Sequence, residues 1–185
     1  MAAANSTETD VAKQLVFRHL QQHFSLNPGQ VDILDLTLAD LLPGGAHSFS
    51  VREHDVLDGN EYYYIVIDGR VYCNHVAGDF VRLLRDYRYF EKLDWNASQM
   101  LLIYQHFEIP RAASYPVTET VLKDSPSLYA AYPQVTPPVL TQSRGGLTLT
   151  FYMSTIGREA PVKWTVTISP DYHVEAHQDE PLQPR

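Results

Sequence analysis

Hydrophobic positions recur along this chain with two periods, one helical and one of strands. From Asp10 to His23, Ala12, Leu15, Val16 and His19 fall on one helical face, with Leu20 and Phe24 at its margin. Thr7 and Asp10 fit a capping box, and Asn27-Pro28-Gly29 stops the helix. A second helical pattern, Val76, Phe80, Leu83, Leu84 and Tyr87, predicts a helix from His75 to Phe90 with Asn74 as its N-cap. A third begins near Trp95, capped by Asp94, carries Ala97, Met100, Leu101, Tyr104 and Glu108 in register, and ends at Pro110.

The strand period appears in "VDILDLTL", "HSFSVREHDV" and "YYYIVIDGRVY", with turns at Leu42-Pro43-Gly44-Gly45 and Asp58-Gly59-Asn60. Asp68-Gly69 between apolar runs predicts a two-residue hairpin, because both central residues must tolerate positive φ. That turn sets the register: Ile67 opposite Arg70, Val66 opposite Val71, Ile65 opposite Tyr72, Tyr64 opposite Cys73. The pleat then puts Tyr62, Tyr64, Val66, Val71, Cys73 and His75 on one face and Tyr63, Ile65, Ile67, Arg70 and Tyr72 on the other. Both sets carry apolar bulk, which places the hairpin centrally in its sheet. The last third repeats the strand period in "LTLTFYMST", "VKWTVTIS" and "DYHVEAHQ", an antiparallel meander with one wet face.

These elements predict an α+β fold, about three helices packed on antiparallel sheet with β-hairpins. Residues 1–9 are expected to be disordered, 10–178 to form a single domain, and 179–185 to be a loose tail. Within the domain, lobes 10–108 and 142–178 are joined by a proline-rich crossing, 109–141. A crossing of that length is expected either to pack down or to serve function. Within it, Ser125-Pro126 marks the start of a short helix that Pro133 ends.

Composition narrows the function. The 185 residues carry a formal charge of −8, and both halves are acidic. Nucleic-acid binding depends on Lys and Arg neutralising phosphates, so no nucleic-acid partner is expected. A single cysteine forms no internal disulfide, "MAAANSTETD" lacks the pattern of a secretory signal, and no apolar run spans a bilayer; a cytoplasmic protein without a membrane partner is expected. Twelve tyrosines suit half-buried sheet faces and binding surfaces.

Three constellations carry candidate chemistry. Cys73, His75 and Asp79 have the residue types of a nucleophile, its base and an orienting carboxylate. Tyrosine and valine neighbours on the hairpin face instead mark Cys73 as a buried structural thiol. His173, Glu175 and His177 alternate on a strand and offer the donor set that suits iron, manganese or zinc, while also fitting the polar face of an exposed strand. His19 and His23 form a weaker chelating pair. Finally, Arg82, Arg85, Arg88 and Lys92 form a basic flank interleaved with Tyr89, a surface for an acidic partner. No phosphate loop, GxSxG, HExxH or CxxC motif appears, and no cofactor is expected. The expected function is a non-catalytic, protein-binding accessory protein such as an adaptor, subunit or immunity-type inhibitor. The alternatives are a metal-dependent enzyme using His173, Glu175 and His177, and a cysteine hydrolase using Cys73 and His75.

Overall fold

The computed structural model describes residues 2–38, 42, 45–54, 61–92, 95–109, 114–155 and 160–184. The class is α+β, with helices and two antiparallel sheets. The chain divides into two units, Met1–Leu83 with His106–Glu108, and Leu84–Gln105 with Ile109–Arg185.

In the first unit, α1 (Ala2–Phe24) begins well before Asp10 and takes in residues assigned to disorder by pattern alone. Ala2, Ala3 and Ala4 are the residue type with the highest helix propensity, and the helix runs on through them past Thr7. Strands β1 (Val31–Asp35), β2 (His47–Glu53), β3 (Glu61–Ile67) and β4 (Arg70–Cys73) follow as an antiparallel sheet in sequential order. The predicted turns at Pro43-Gly44 and Asp58-Gly59-Asn60 lie outside the described residues. The β3–β4 register is the one the Asp68-Gly69 turn dictates, with Tyr64 opposite Cys73, and Asp68 and Gly69 have φ of 50° and 73°.

Ala12, Val16 and Leu20 of α1 pack with Phe49, Val51, Tyr62, Tyr64, Val66 and Cys73 on one sheet face. Burial of each large aliphatic side chain there contributes about 1.5–3 kcal/mol. On the opposite face Tyr63, Ile65, Ile67 and Tyr72 are buried too, and Tyr63 meets His106 edge-on at 4.8 Å. One expectation fails: β4 is an edge strand, so the hairpin is not central.

The second predicted helix breaks into α2 (Asp79–Asp86) and α3 (Tyr89–Lys92). Gly78 at φ 84° turns the chain before α2, and Arg88 at φ 48° separates the two. Asn74 does not cap a helix; its side chain accepts from the Tyr63 N–H at 2.8 Å and donates to the Glu61 carbonyl. The third predicted helix is α4 (Ala97–Glu108), capped by Asn96 in a capping box with Gln99; Asp94 lies outside the described residues.

In the second unit, β5 (Ser114–Pro116), β6 (Val139–Ser143), β7 (Gly146–Thr155), β8 (Val162–Ile168) and β9 (Val174–Pro181) form one antiparallel sheet, with β5 and β6 both pairing β7. Leu147, Leu149, Phe151 and Met153 alternate inward as predicted, and Phe151 meets Tyr104 of α4 at 6.3 Å. The other face is not wholly wet. The proline-rich crossing, with α5 (Glu119–Asp124) and α6 (Pro126–Ala130), packs Val117, Tyr129, Tyr132 and Val135 around Tyr152. Ser125 and Pro126 start α6 where the pattern places it. The expected loose tail is partly strand, and the Leu182 N–H bonds the Pro161 carbonyl at 2.9 Å. Among the described residues no helix is long and apolar enough to cross a membrane.

Candidate functional site

The predicted Cys73/His75/Asp79 constellation does not assemble as a catalytic triad. Cys73 is fully buried, and burial pushes its thiol up to about 11, which opposes thiolate formation at neutral pH. The thiol donates to Asn74 Oδ1 at 3.7 Å. His75 lies exposed beyond the strand, its ring turned to Tyr62 at 4.6 Å and Phe24 at 6.2 Å. Asp79 is 2% exposed and serves the backbone: its carboxylate accepts the Cys73 N–H at 2.8 Å and pairs with Arg82 at 3.2 Å. Burial raises the Asp79 carboxyl above its ordinary range, opposed by the Cys73 N–H and Arg82.

An imidazole of α1 joins this cluster through Tyr64. His19 Nδ1 and the Tyr64 hydroxyl share a hydrogen bond of 3.2 Å, and Tyr64 also bonds the Cys73 thiol. His23 stacks on His19 at 4.1 Å, one turn along the same helix. Burial, His23 and Arg82 together lower His19 to about 4, so at neutral pH it is an uncharged hydrogen-bonding group. The resulting chain, His23–His19–Tyr64–Cys73, fastens the end of α1 to the hairpin. Sequence spacing put His19 on the apolar helix face, but its partner lies 45 residues away and carried no local signal.

On β9 the histidines pair singly with carboxylates, His173 with Glu175 at 3.3 Å and His177 with Asp179 at 3.1 Å. All three predicted ligands are exposed. Among the described residues no group of three or more His, Cys, Asp or Glu side chains is placed to hold a metal ion.

The basic flank is interrupted. Arg82 bonds the Val71 carbonyl, pairs with Asp79 and lies over the Tyr72 ring at 4.8 Å. Tyr89 is 3% exposed and packs on Trp95 at 5.1 Å, so it is not a surface contact. Arg85 and Arg88 are exposed, and the Lys92 side chain lies outside the described residues.

A concave surface that patterning did not find lies in the first unit. Glu8, Val11, Ala12 and Leu15 of α1 form one wall of a groove of about 470 Å³; His47 and Val66, cross-strand partners, and the Asp68-Gly69 turn form the other. At 23 residues, or about 34 Å, α1 is longer than the seven-residue strands of about 23 Å that it covers. Ala12 is buried, whereas Val11 keeps 52% of its surface in solvent. The groove is of the size that encloses a small ligand or a few side chains of a partner. Comparison of the chain with protein-family models, with curated proteins and with solved structures gives no match to any of them.

Proposed function

We propose that the chain is a non-catalytic protein-binding protein, and that its partner docks in the groove between α1 and the β3–β4 hairpin. The supporting observation is the open groove with Val11 exposed on its wall. Cys73, Asp79 and His19 do not line it and are held in internal bonds, Asp79 to the Cys73 N–H and His19 to Tyr64. An apolar wall with a few convergent polar groups is the chemistry of a recognition surface.

Selection of displayed random peptides on the wild-type protein, with counter-selection on Val11→Asp, tests this reading. Val11 is exposed, so the substitution leaves the core intact. Peptides that bind the wild type and lose binding to Val11→Asp support the groove. Recovery of no binder, or of binders indifferent to Val11, overturns it.

A further inference from the structure

Strand β9 is the outer strand of its sheet, and β8 is its only strand partner among the described residues. The turn that leads into β9 fixes which of its backbone groups face β8. The Ser169 N–H bonds the His173 carbonyl at 2.9 Å, and the register runs on with Thr167 opposite Glu175 and Thr165 opposite His177. Backbone direction alternates along an antiparallel strand, so His173, Glu175 and His177 address β8. Val174, Ala176 and Gln178 turn their N–H and C=O groups outward, away from the sheet. On β4 the outward groups are taken by Asp79 and Arg82, whereas on β9 the described residues supply no such closure. Its acidic and imidazole side chains stand off the face instead. His173 meets Glu175 at 3.3 Å and His177 meets Asp179 at 3.1 Å, along one side of the strand. From Glu175 to Gln178 the strand is exposed. An open edge of this kind takes another strand by main-chain hydrogen bonding.

We infer that β9 pairs antiparallel with β9 of a second copy of this chain, about a two-fold axis at Ala176. That axis matches outward groups to outward groups: Ala176 bonds Ala176 of the second copy, and Val174 bonds Gln178 on either side. The side chains between them are then set imidazole against carboxylate. Glu175 lies opposite His177 and His173 opposite Asp179, each twice by symmetry. These are the closer, non-hydrogen-bonded positions of the ladder. Bonds already made within one chain, including Lys163 to Asp179 at 3.9 Å, remain, because a carboxylate accepts at about four lone-pair sites. Other axes match less well. An axis at His177 faces His177 with itself and Glu175 with Asp179, and one at Glu175 faces Glu175 with itself and His173 with His177. An axis at Gln178 sets Glu175 against Pro181, and one at Val174 draws in Tyr172, whose φ of 65° belongs to the turn before the strand.

Sedimentation of the full chain over a concentration series tests this, in buffer with EDTA so that no metal bridges the histidines. A pair of short edges buries little surface, so the wild type should pass from monomer to dimer as concentration rises. It should stop at the dimer, because the two-fold axis uses up the edge. Ala176→Pro removes an N–H that points away from β8, where an edge strand accepts proline, and should leave a monomer. His177→Glu sets glutamate against Glu175 and should weaken the dimer at least about tenfold. Glu175→His sets imidazole against imidazole and should weaken it as well. Both substitutions are on the exposed face, so they decide the matter if the proline variant fails to fold. Exchanging the two residues, Glu175→His with His177→Glu, restores the opposed pairs only for an axis at Ala176 and should recover the wild-type dimer. Val11→Asp, in the groove, should leave the dimer unchanged. A wild type still monomeric at about 0.5 mM overturns the pairing. So does a dimer that survives His177→Glu, or one lost in Val11→Asp, since either lies on another surface. Loss in the single variants without recovery in the exchanged one overturns the axis at Ala176.

Discussion

The Asp79 carboxylate accepts the backbone N–H of Cys73 at 2.8 Å, a bond between the first turn of a helix and the edge of a sheet. Its role follows from the hairpin register. In an antiparallel pair, backbone groups point alternately to the partner strand and away from it. With Ile65 opposite Tyr72 and Asn74 N–H bonded to the Tyr63 carbonyl, the Val71 and Cys73 groups point outward. The Cys73 N–H goes to Asp79 and the Val71 carbonyl accepts from Arg82, so the Asp79–Arg82 pair occupies the place of a fifth strand. An open edge invites pairing with another chain, and closing it with charged side chains prevents this.

Removing that closure should be costly. Asp79→Ala leaves a buried N–H without its acceptor and Arg82 without its carboxylate. The expected loss is about 2–4 kcal/mol, read from urea midpoints. Asp79→Asn keeps an acceptor oxygen and should lose only about 1 kcal/mol. A loss under about 0.5 kcal/mol for Asp79→Ala, the range of ordinary surface changes, would contradict this role.

Cys73 should behave as a core side chain. An aromatic disulfide reagent should label the native protein at the rate at which the first unit opens, and label the urea-unfolded protein at once. Cys73→Ala should cost about 1–2 kcal/mol for the sulfur it removes from the core. Fast labelling of the native protein at pH 7 would instead identify a reachable thiolate and revive the nucleophile reading.

The burial of His19 predicts acid sensitivity with a definite sign. The folded state lowers His19 from 6.5 to about 4, so between those values the unfolded chain binds the extra proton and stability falls as pH falls. His19 is only partly buried, so the loss should be on the order of 1–2 kcal/mol. Asp79, raised above its ordinary value, works in the opposite sense just above pH 3.8, where the fold retains a proton that the unfolded chain has released. His19→Gln keeps a hydrogen-bonding side chain beside Tyr64 and should flatten the slope between pH 6.5 and 4. A slope unchanged in that variant would assign the acid sensitivity elsewhere.

What patterning could and could not read follows from the distance over which each feature is specified. The hairpin was legible because Asp68-Gly69 and the two-residue period are local and fix the register from Tyr64 to Cys73. The start of α2 was not, because Asn74 resembles a cap in sequence and is taken instead by Tyr63 and Glu61 of the neighbouring strand. The arginine flank was read from helical spacing, which is blind to the Val71 carbonyl that claims Arg82. The groove was invisible for a related reason. Val11 adjoins the apolar stripe of α1, and only the extent of the sheet beneath decides whether it is covered.

The small core beneath the proline-rich crossing offers a paired test of what buried hydroxyls contribute. Tyr152 donates to the Gln134 carbonyl at 3.0 Å, whereas the buried Tyr129 hydroxyl has no hydrogen-bond partner among the described residues. Both rings belong to the cluster with Val117, Tyr132 and Val135. Tyr152→Phe removes a satisfied bond and orphans part of a carbonyl, so it should cost about 1 kcal/mol. Tyr129→Phe removes only a desolvated, unbonded oxygen and should be neutral or stabilising by up to about 1 kcal/mol. Burial raises both phenols above their ordinary 10.0, so each variant should also delete one late-titrating tyrosine from an alkaline difference spectrum. If Tyr129→Phe proves the more damaging of the two, its hydroxyl has a partner that this packing does not account for, and the crossing is held down by more than apolar contact.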